Sequence, residues 1–248
     1  MGTRYSSGFT IIETVLFLSV TGLLVLGVLI GTGSAINNQR YRDATETFKS
    51  LMQEQYTAIE SVRNGRDNIW GCESSGAQPI AGGTEIRGQS DCVIVGRYMQ
   101  IRSDDITIYS VLARKTNPTM PTNDILAMAN NYVYGVSTAE VISTNMEWGT
   151  EIAWPESGSG GRQDTMPRDI GVLFMRSPES GAIYTFTNDV IPAKGEVIAP
   201  ANINTMITAS AQGERTLCIK VNGAIGYKVG DAALYISANS SGPSAIET

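Results

Sequence analysis

The sequence contains no histidine in its 248 residues. That removes the side chain whose charge changes near neutral pH, the usual general base and the commonest metal ligand. A G-x-S-x-G elbow, a Walker A loop and a paired-cysteine zinc spacing are missing too. Carboxylate pairs can work without histidine, but none is nominated. Asp104 and Asp105 are adjacent, and neighbours on a strand point to opposite faces. They read as a solvated loop edge. No enzymatic activity, cofactor or metal site is expected.

Charge is also scarce, and its balance is wrong for a general nucleic-acid binder. Charged residues make up 17% of the chain, and 18 basic against 24 acidic side chains leave a formal charge of −6. With a pI near 4.8 there is no global basic field. Duplex binding would need a local cluster, such as Arg97, Arg102, Arg114 and Lys115, and would weaken steeply with salt. Cysteine is limited to Cys72, Cys92 and Cys218. Two readings stay open. In an exported domain a disulfide is permitted, and one between Cys72 and Cys92 would close a Gly/Ser-rich connection, adding roughly 3 kcal/mol in the chain-entropy model. Otherwise all three are buried thiols. Cys218 lies in a strand-like run and reads as a packed residue.

What the chain does have is one long apolar run. Gly-Phe-Thr-Ile-Ile-Glu at residues 8–13 is followed by twenty-three residues without a charge, ending at Ile36. That length crosses a bilayer as a helix. Glu13 sits near its start, and a charged side chain at the bilayer centre costs about 2.5 to 3.5 kcal/mol on insertion scales. Either Glu13 reaches the interface of a plain anchor, or it has a partner. Gly22, Gly27, Gly31 and Gly33 recur inside the run, with Gly27 and Gly31 in the small-xxx-small spacing that lets helices approach in lipid. No proline interrupts it. Arg4 on one side and Arg40 and Arg42 on the other do not choose an orientation. Gly33-Ser34-Ala35 would suit signal peptidase, but the run exceeds the 7 to 15 residues of a secretory h-region.

Gly8, Phe9 and Glu13, after a short polar leader and before an apolar helix, resemble the type IV prepilin signature, shared by pilins and the pseudopilins of type II secretion. The resemblance covers about the first thirty residues. It implies that a prepilin peptidase cuts between Gly8 and Phe9 and methylates the new amine of Phe9. Glu13 then becomes the fifth residue of the mature chain and pairs with the Phe9 amine of a neighbouring subunit. Physically the pairing is sound: a free α-amine has an unperturbed pKa near 8, and in low dielectric each charge becomes the other's partner. The implied partners are the peptidase, other pilin subunits, an assembly ATPase and an inner-membrane platform protein. The implied location is the cytoplasmic membrane with the leader inside, then an extracellular filament.

Beyond Asn37 an amphipathic stripe continues through Tyr41, Ala44, Phe48, Leu51, Met52, Ile59 and Val62, and predicts helix to Asn64, before Gly65. Residues 65–92 form a Gly/Ser-rich connection. After it the period falls to two. Strands are predicted at Cys92–Arg102, Ile106–Arg114, Tyr132–Ser137 and Val141–Trp154, with a short helix at Asp124–Asn130. Thr116–Thr122 and Pro155–Pro167 read as loops. Gly171–Arg176 and Ala182–Thr187 flank a turn, as do Arg215–Val221 and Ala224–Val229 around Asn222-Gly223, a strong hairpin signal. A last strand is expected at Ala232–Ser237. This order is similar to minor pilins and pseudopilins of the H type, with Val172-Leu173-Phe174, Gly181, Leu217–Val221 and Gly223 in the strand and turn roles. The basic C-terminal motif of DNA-binding relatives is replaced by Gly226-Tyr227-Lys228.

The expectation is therefore an α+β chain in which a long N-terminal helix packs on an antiparallel sheet. Residues 1–8 are a leader, 9–36 the membrane or filament-core helix, 37–64 its amphipathic continuation and 65–248 a β-rich head. Its expected role is structural, as a major or minor pilin. A secretion pseudopilin, a DNA-uptake minor pilin and a plain membrane-anchored β domain remain the alternatives.

Overall fold

The apolar run and the stretch after it form one helix, α1, Ile11–Glu60, in a computed structural model of the chain. The structure describes residues 10–61, 70–73, 77–83, 85–86, 89–118, 123–154, 166–208, 215–221, 232–237 and 242–247. By its contacts the chain divides into two units, Met1–Asp43 and Ala44–Thr248. Among the described residues the first unit holds the opening of α1. Four hydroxyls along it turn back onto the helix: Thr14, Ser19, Thr21 and Thr32 each donate to a carbonyl three or four residues back, at 2.8 Å. Such back-bonding removes polar groups from the surface of an apolar helix.

The second unit is an α+β fold. Within it, α1 buries Ala44, Thr45, Phe48, Met52, Gln55, Tyr56 and Ile59, a stripe at helical spacing. Five of the predicted stripe positions are buried, Leu51 is half-buried and Val62 lies outside the described residues. The stripe also includes Tyr56, a polar aromatic that the apolar count passed over. Its ring meets Phe174 edge-on at 4.9 Å and its hydroxyl shares a 2.7 Å hydrogen bond with Thr185. Buried tyrosines of this kind combine a large apolar area with one fixed polar contact. Gln53 donates to the Pro243 carbonyl at 3.0 Å, which ties the helix to the C-terminal end of the chain. The helix closes at Glu60, and the expected extension from Val62 to Asn64 falls outside the described residues.

Two antiparallel sheets make up most of the rest. The five-stranded sheet has the order β5-β4-β3-β7-β8, with β3 Cys92–Arg102, β4 Asp105–Lys115, β5 Tyr132–Asn145, β7 Asp169–Arg176 and β8 Ile183–Asn188. Its registers place Thr185, Phe174, Arg97, Ser110 and Ser137 in one row across the strands. Tyr56 contacts two members of that row, so this face receives α1. The alternate row holds Phe186, Leu173, Tyr98 and Tyr109, which cluster with α2 (Asp124–Asn131) and α3 (Pro200–Thr208). Covered on both sides, β3 is buried from Val95 to Ile101. The four-stranded sheet runs β11-β10-β9-β6, with β6 Thr150–Ala153, β9 Arg215–Val221, β10 Ala232–Ile236 and β11 Ile246–Glu247. One of its faces buries Ile152, Ile219, Leu217, Leu234 and Ile236.

Arg168 fastens the two sheets. It is 3% exposed, donates to Asp189 and to the Thr216 carbonyl at 2.7 Å each, and lies 4.2 Å from the Trp154 ring centre. A buried guanidinium is tolerated because its donors and its charge are both met.

The structure corrects the strand reading in two places. Tyr132–Ser137 and the start of the next predicted strand are one element, β5, in which register jumps from Ser137 to Val141 and three residues bulge out. The stretch predicted through to Trp154 breaks at Glu147–Gly149, where Trp148 and Gly149 take φ of 56° and 66°. Helix α3 was not anticipated, although Pro200 at its first turn and Ile203, Met206 and Ile207 on its buried side carried the signal. The turn between β7 and β8 is as predicted, with Gly181 at φ 76°. Asn222-Gly223, Ala224–Val229 and most of Pro155–Pro167 lie outside the described residues.

A small two-stranded sheet, β1 Trp70–Cys72 with β2 Pro79–Ala81, precedes β3. Between its strands Ala77 is fully buried, and a Cβ on Gly135 of β5 would collide with the Ala77 carbonyl oxygen. Gly135→Ala therefore forces backbone apart and should cost about 1 to 3 kcal/mol. Urea unfolding of the detergent-solubilised chain measures this, and an unchanged midpoint would contradict the close approach.

Candidate functional site: an uncovered apolar helix

The segment singled out by the sequence is the opening of α1. Gly8 and Phe9 lie outside the described residues. Thr10 immediately precedes the helix, and its hydroxyl oxygen accepts from the Glu13 amide at 3.3 Å. Thr-x-x-Glu at a helix start is the capping-box pattern. The sequence reading missed it because the prepilin-like motif runs over the same residues. Glu13 is the acid of the first turn, where a negative charge is favoured by the amide dipoles.

The side chains that follow are open on every side of the helix. Ile11 is 83% exposed, Phe17 67%, Leu23 74% and Ile30 65%, and no large apolar residue from Ile11 to Ile30 is buried. An apolar surface on all faces has no place in water. By length and composition this helix can cross a membrane. At 1.5 Å per residue, Ile11 to Ile36 spans about 39 Å, against a hydrocarbon core of about 30 Å. Gly22, Gly27, Gly31 and Gly33 have nothing within 4 Å of where a Cβ would stand. Among the described residues no neighbour explains these four glycines, each of which costs helix propensity.

Cys72 and Cys92 form a disulfide, with Cα atoms 5.6 Å apart. It anchors the β1–β2 sheet to the first residue of β3. Cys218 is half-buried on β9 and takes no part in it.

The four cations considered for duplex contact do not make an open basic patch. Arg97 is buried in the sheet. Arg102 donates to the Pro192 carbonyl and lies 3.7 Å from Asp169. Arg114 lies 3.8 Å from Asp91, and Lys115 is 2.7 Å from Glu179. The Lys115 ammonium, then the Tyr132 hydroxyl, hold the Glu179 carboxyl below its ordinary range. Asp104 and Asp105 divide between a turn and the start of β4, and Asp105 pairs with Lys194 at 3.0 Å.

No protein-family model, curated protein or solved structure matches this chain.

The disulfide supplies the clearest stability test here. Replacing both Cys72 and Cys92 by serine should lower unfolding free energy by about 3 kcal/mol, the loop-closure value for a separation of this order. Comparable stability of the variant and the oxidised chain would show that the β1–β2 segment is held by packing alone.

Proposed function

We propose that this chain is a structural subunit of a type IV pilus-like filament, inserted in the membrane and assembled through its N-terminal helix. The observation that supports it is the helix from Ile11 onward, apolar and uncovered on every side, with one acid in its first turn. Such a surface is satisfied first by lipid and then by the same helix of neighbouring subunits. In this reading residues 1–8 are a leader removed by a prepilin peptidase between Gly8 and Phe9. Glu13 then pairs with the methylated Phe9 amine of an adjacent subunit. The unpartnered glycines allow close helix approach, and the second unit is a pilin-like head. An assembly ATPase and a membrane platform protein are the implied machinery. The chain begins in the cytoplasmic membrane with the leader inside and ends in an extracellular filament. A major pilin, a minor pilin and a secretion pseudopilin all fit this mechanism, and no catalytic role is assigned.

A plain membrane-anchored β domain is the second reading, and the Thr10–Glu13 cap favours it. The Thr10 hydroxyl accepts from the Glu13 amide, and an acid in the third position of a capping-box pattern has a local role that needs no partner from another chain. Glu13→Gln separates the two, because glutamine also serves in a capping box but carries no charge. The filament reading expects normal membrane insertion and processing of Glu13→Gln, with at least about tenfold fewer filaments, the loss corresponding to ~1.4 kcal/mol per decade. Wild-type filament yield from Glu13→Gln would refute the charge-pairing role.

A further inference from the structure

Strand β5 ends the five-stranded sheet, and its second half is unlike the first. Tyr132 to Ser137 is largely buried, whereas from Thr138 onward most side chains are open. Val141 and Ile142 are 41% and 47% exposed although they point to opposite faces. On the inner side Val141 to Asn145 pair with Tyr109 to Asp105 of β4. On the outer side no strand pairs with them among the described residues. Trp148, just beyond, is 54% exposed and held at φ 56°.

Open sheet edges are normally protected by lysine, proline, a bulge or a cover. The run Val-Ile-Ser-Thr-Asn-Met at 141–146 has no charge and no proline, and the bulge precedes it. Acids bracket it instead, Glu140 before and Glu147 after, with Asp104 beside the Glu147 end. The nearby Lys194 is engaged by Asp105. This arrangement bears on which strand can add. A second copy pairing antiparallel along the whole run would set Glu140 opposite Glu147 at both ends, and like charges directly opposite destabilise a pair. A strand with basic ends meets the same acids favourably.

We propose that the outer edge of β5 from Val141 to Met146 receives an extended segment of another protein, added as a sixth strand, with β-branched residues at its centre and lysine or arginine at both ends. Main-chain hydrogen bonds supply affinity in this mode and side chains supply selectivity. The open Trp148 ring offers apolar contact to one end of the added strand. This inference uses the second unit alone, so its failure would leave the filament reading untouched, and the converse also holds.

The test uses the full chain in detergent micelles and a labelled octapeptide, Lys-Thr-Val-Thr-Val-Thr-Val-Lys, followed by fluorescence anisotropy. Saturable binding is expected, with a Glu-ended peptide of the same core binding about tenfold more weakly. A peptide with proline at its centre should not bind, since it cannot complete the ladder. The double variant Glu140→Lys with Glu147→Lys changes exposed or half-exposed side chains and should reverse the preference between the two peptides. Absence of saturable binding by wild type overturns the proposal. Equal binding of the proline peptide also overturns it, because it reduces the effect to general attraction by an acidic chain. Self-association of wild type that Ile142→Lys abolishes would assign the edge to a second copy and overturn it as well.

Discussion

The opening of α1 is ruled by one constraint: an apolar helical surface left exposed among the described residues. In water such a surface is unfavourable by roughly 25 cal/mol for each Å² of apolar area left exposed. Four hydroxyls along it, of Thr14, Ser19, Thr21 and Thr32, are folded back onto helix carbonyls, and its glycines have nothing within 4 Å of a Cβ position. Both features suit a surface that must lie against lipid or against other helices. The one charged group near its start, Glu13, is compatible with two physical roles, completing a helix cap or answering a charge on another chain.

The second unit is built on different terms. There α1 is an ordinary amphipathic helix, and its buried stripe meets a sheet whose opposite face is closed by α2 and α3. Several polar groups in this interior are met individually. Tyr56 finds Thr185, Arg168 finds Asp189 and the Thr216 carbonyl, and Tyr134 donates to the Met128 carbonyl. Where backbone must approach backbone, at Ala77 against Gly135, the sequence has removed the Cβ. Removing an atom there is as much a part of the packing as any side chain.

Much of this was legible in the sequence because it is periodic. The stripe through Ala44, Phe48 and Met52 and the bounds of Cys92–Arg102 and Arg215–Val221 follow from hydrophobic spacing alone, as does α2 to within one residue. The losses are where spacing carries no information. The bulge in β5 and the turn at Trp148 depend on tertiary contacts, such as the Met146 amide donating to the Asp104 carbonyl at 2.7 Å. Thr10 was hidden because one short motif can serve two physical purposes. The open edge of β5 could not be seen either, since exposure of a strand depends on which neighbours it lacks. Sheet order is a property of the whole fold, and no local pattern encodes it.

The account turns on what happens to the first residues of the chain before its helix is used. Intact mass and N-terminal sequencing of the mature protein, purified from membranes and from any sheared surface material, test this directly. The account predicts a chain that begins at Phe9, carries one added methyl group on its amine and occurs in both fractions. A mature chain beginning at Met1 would mark a plain anchor, and one beginning at Ile36 a secreted domain; either result would contradict it.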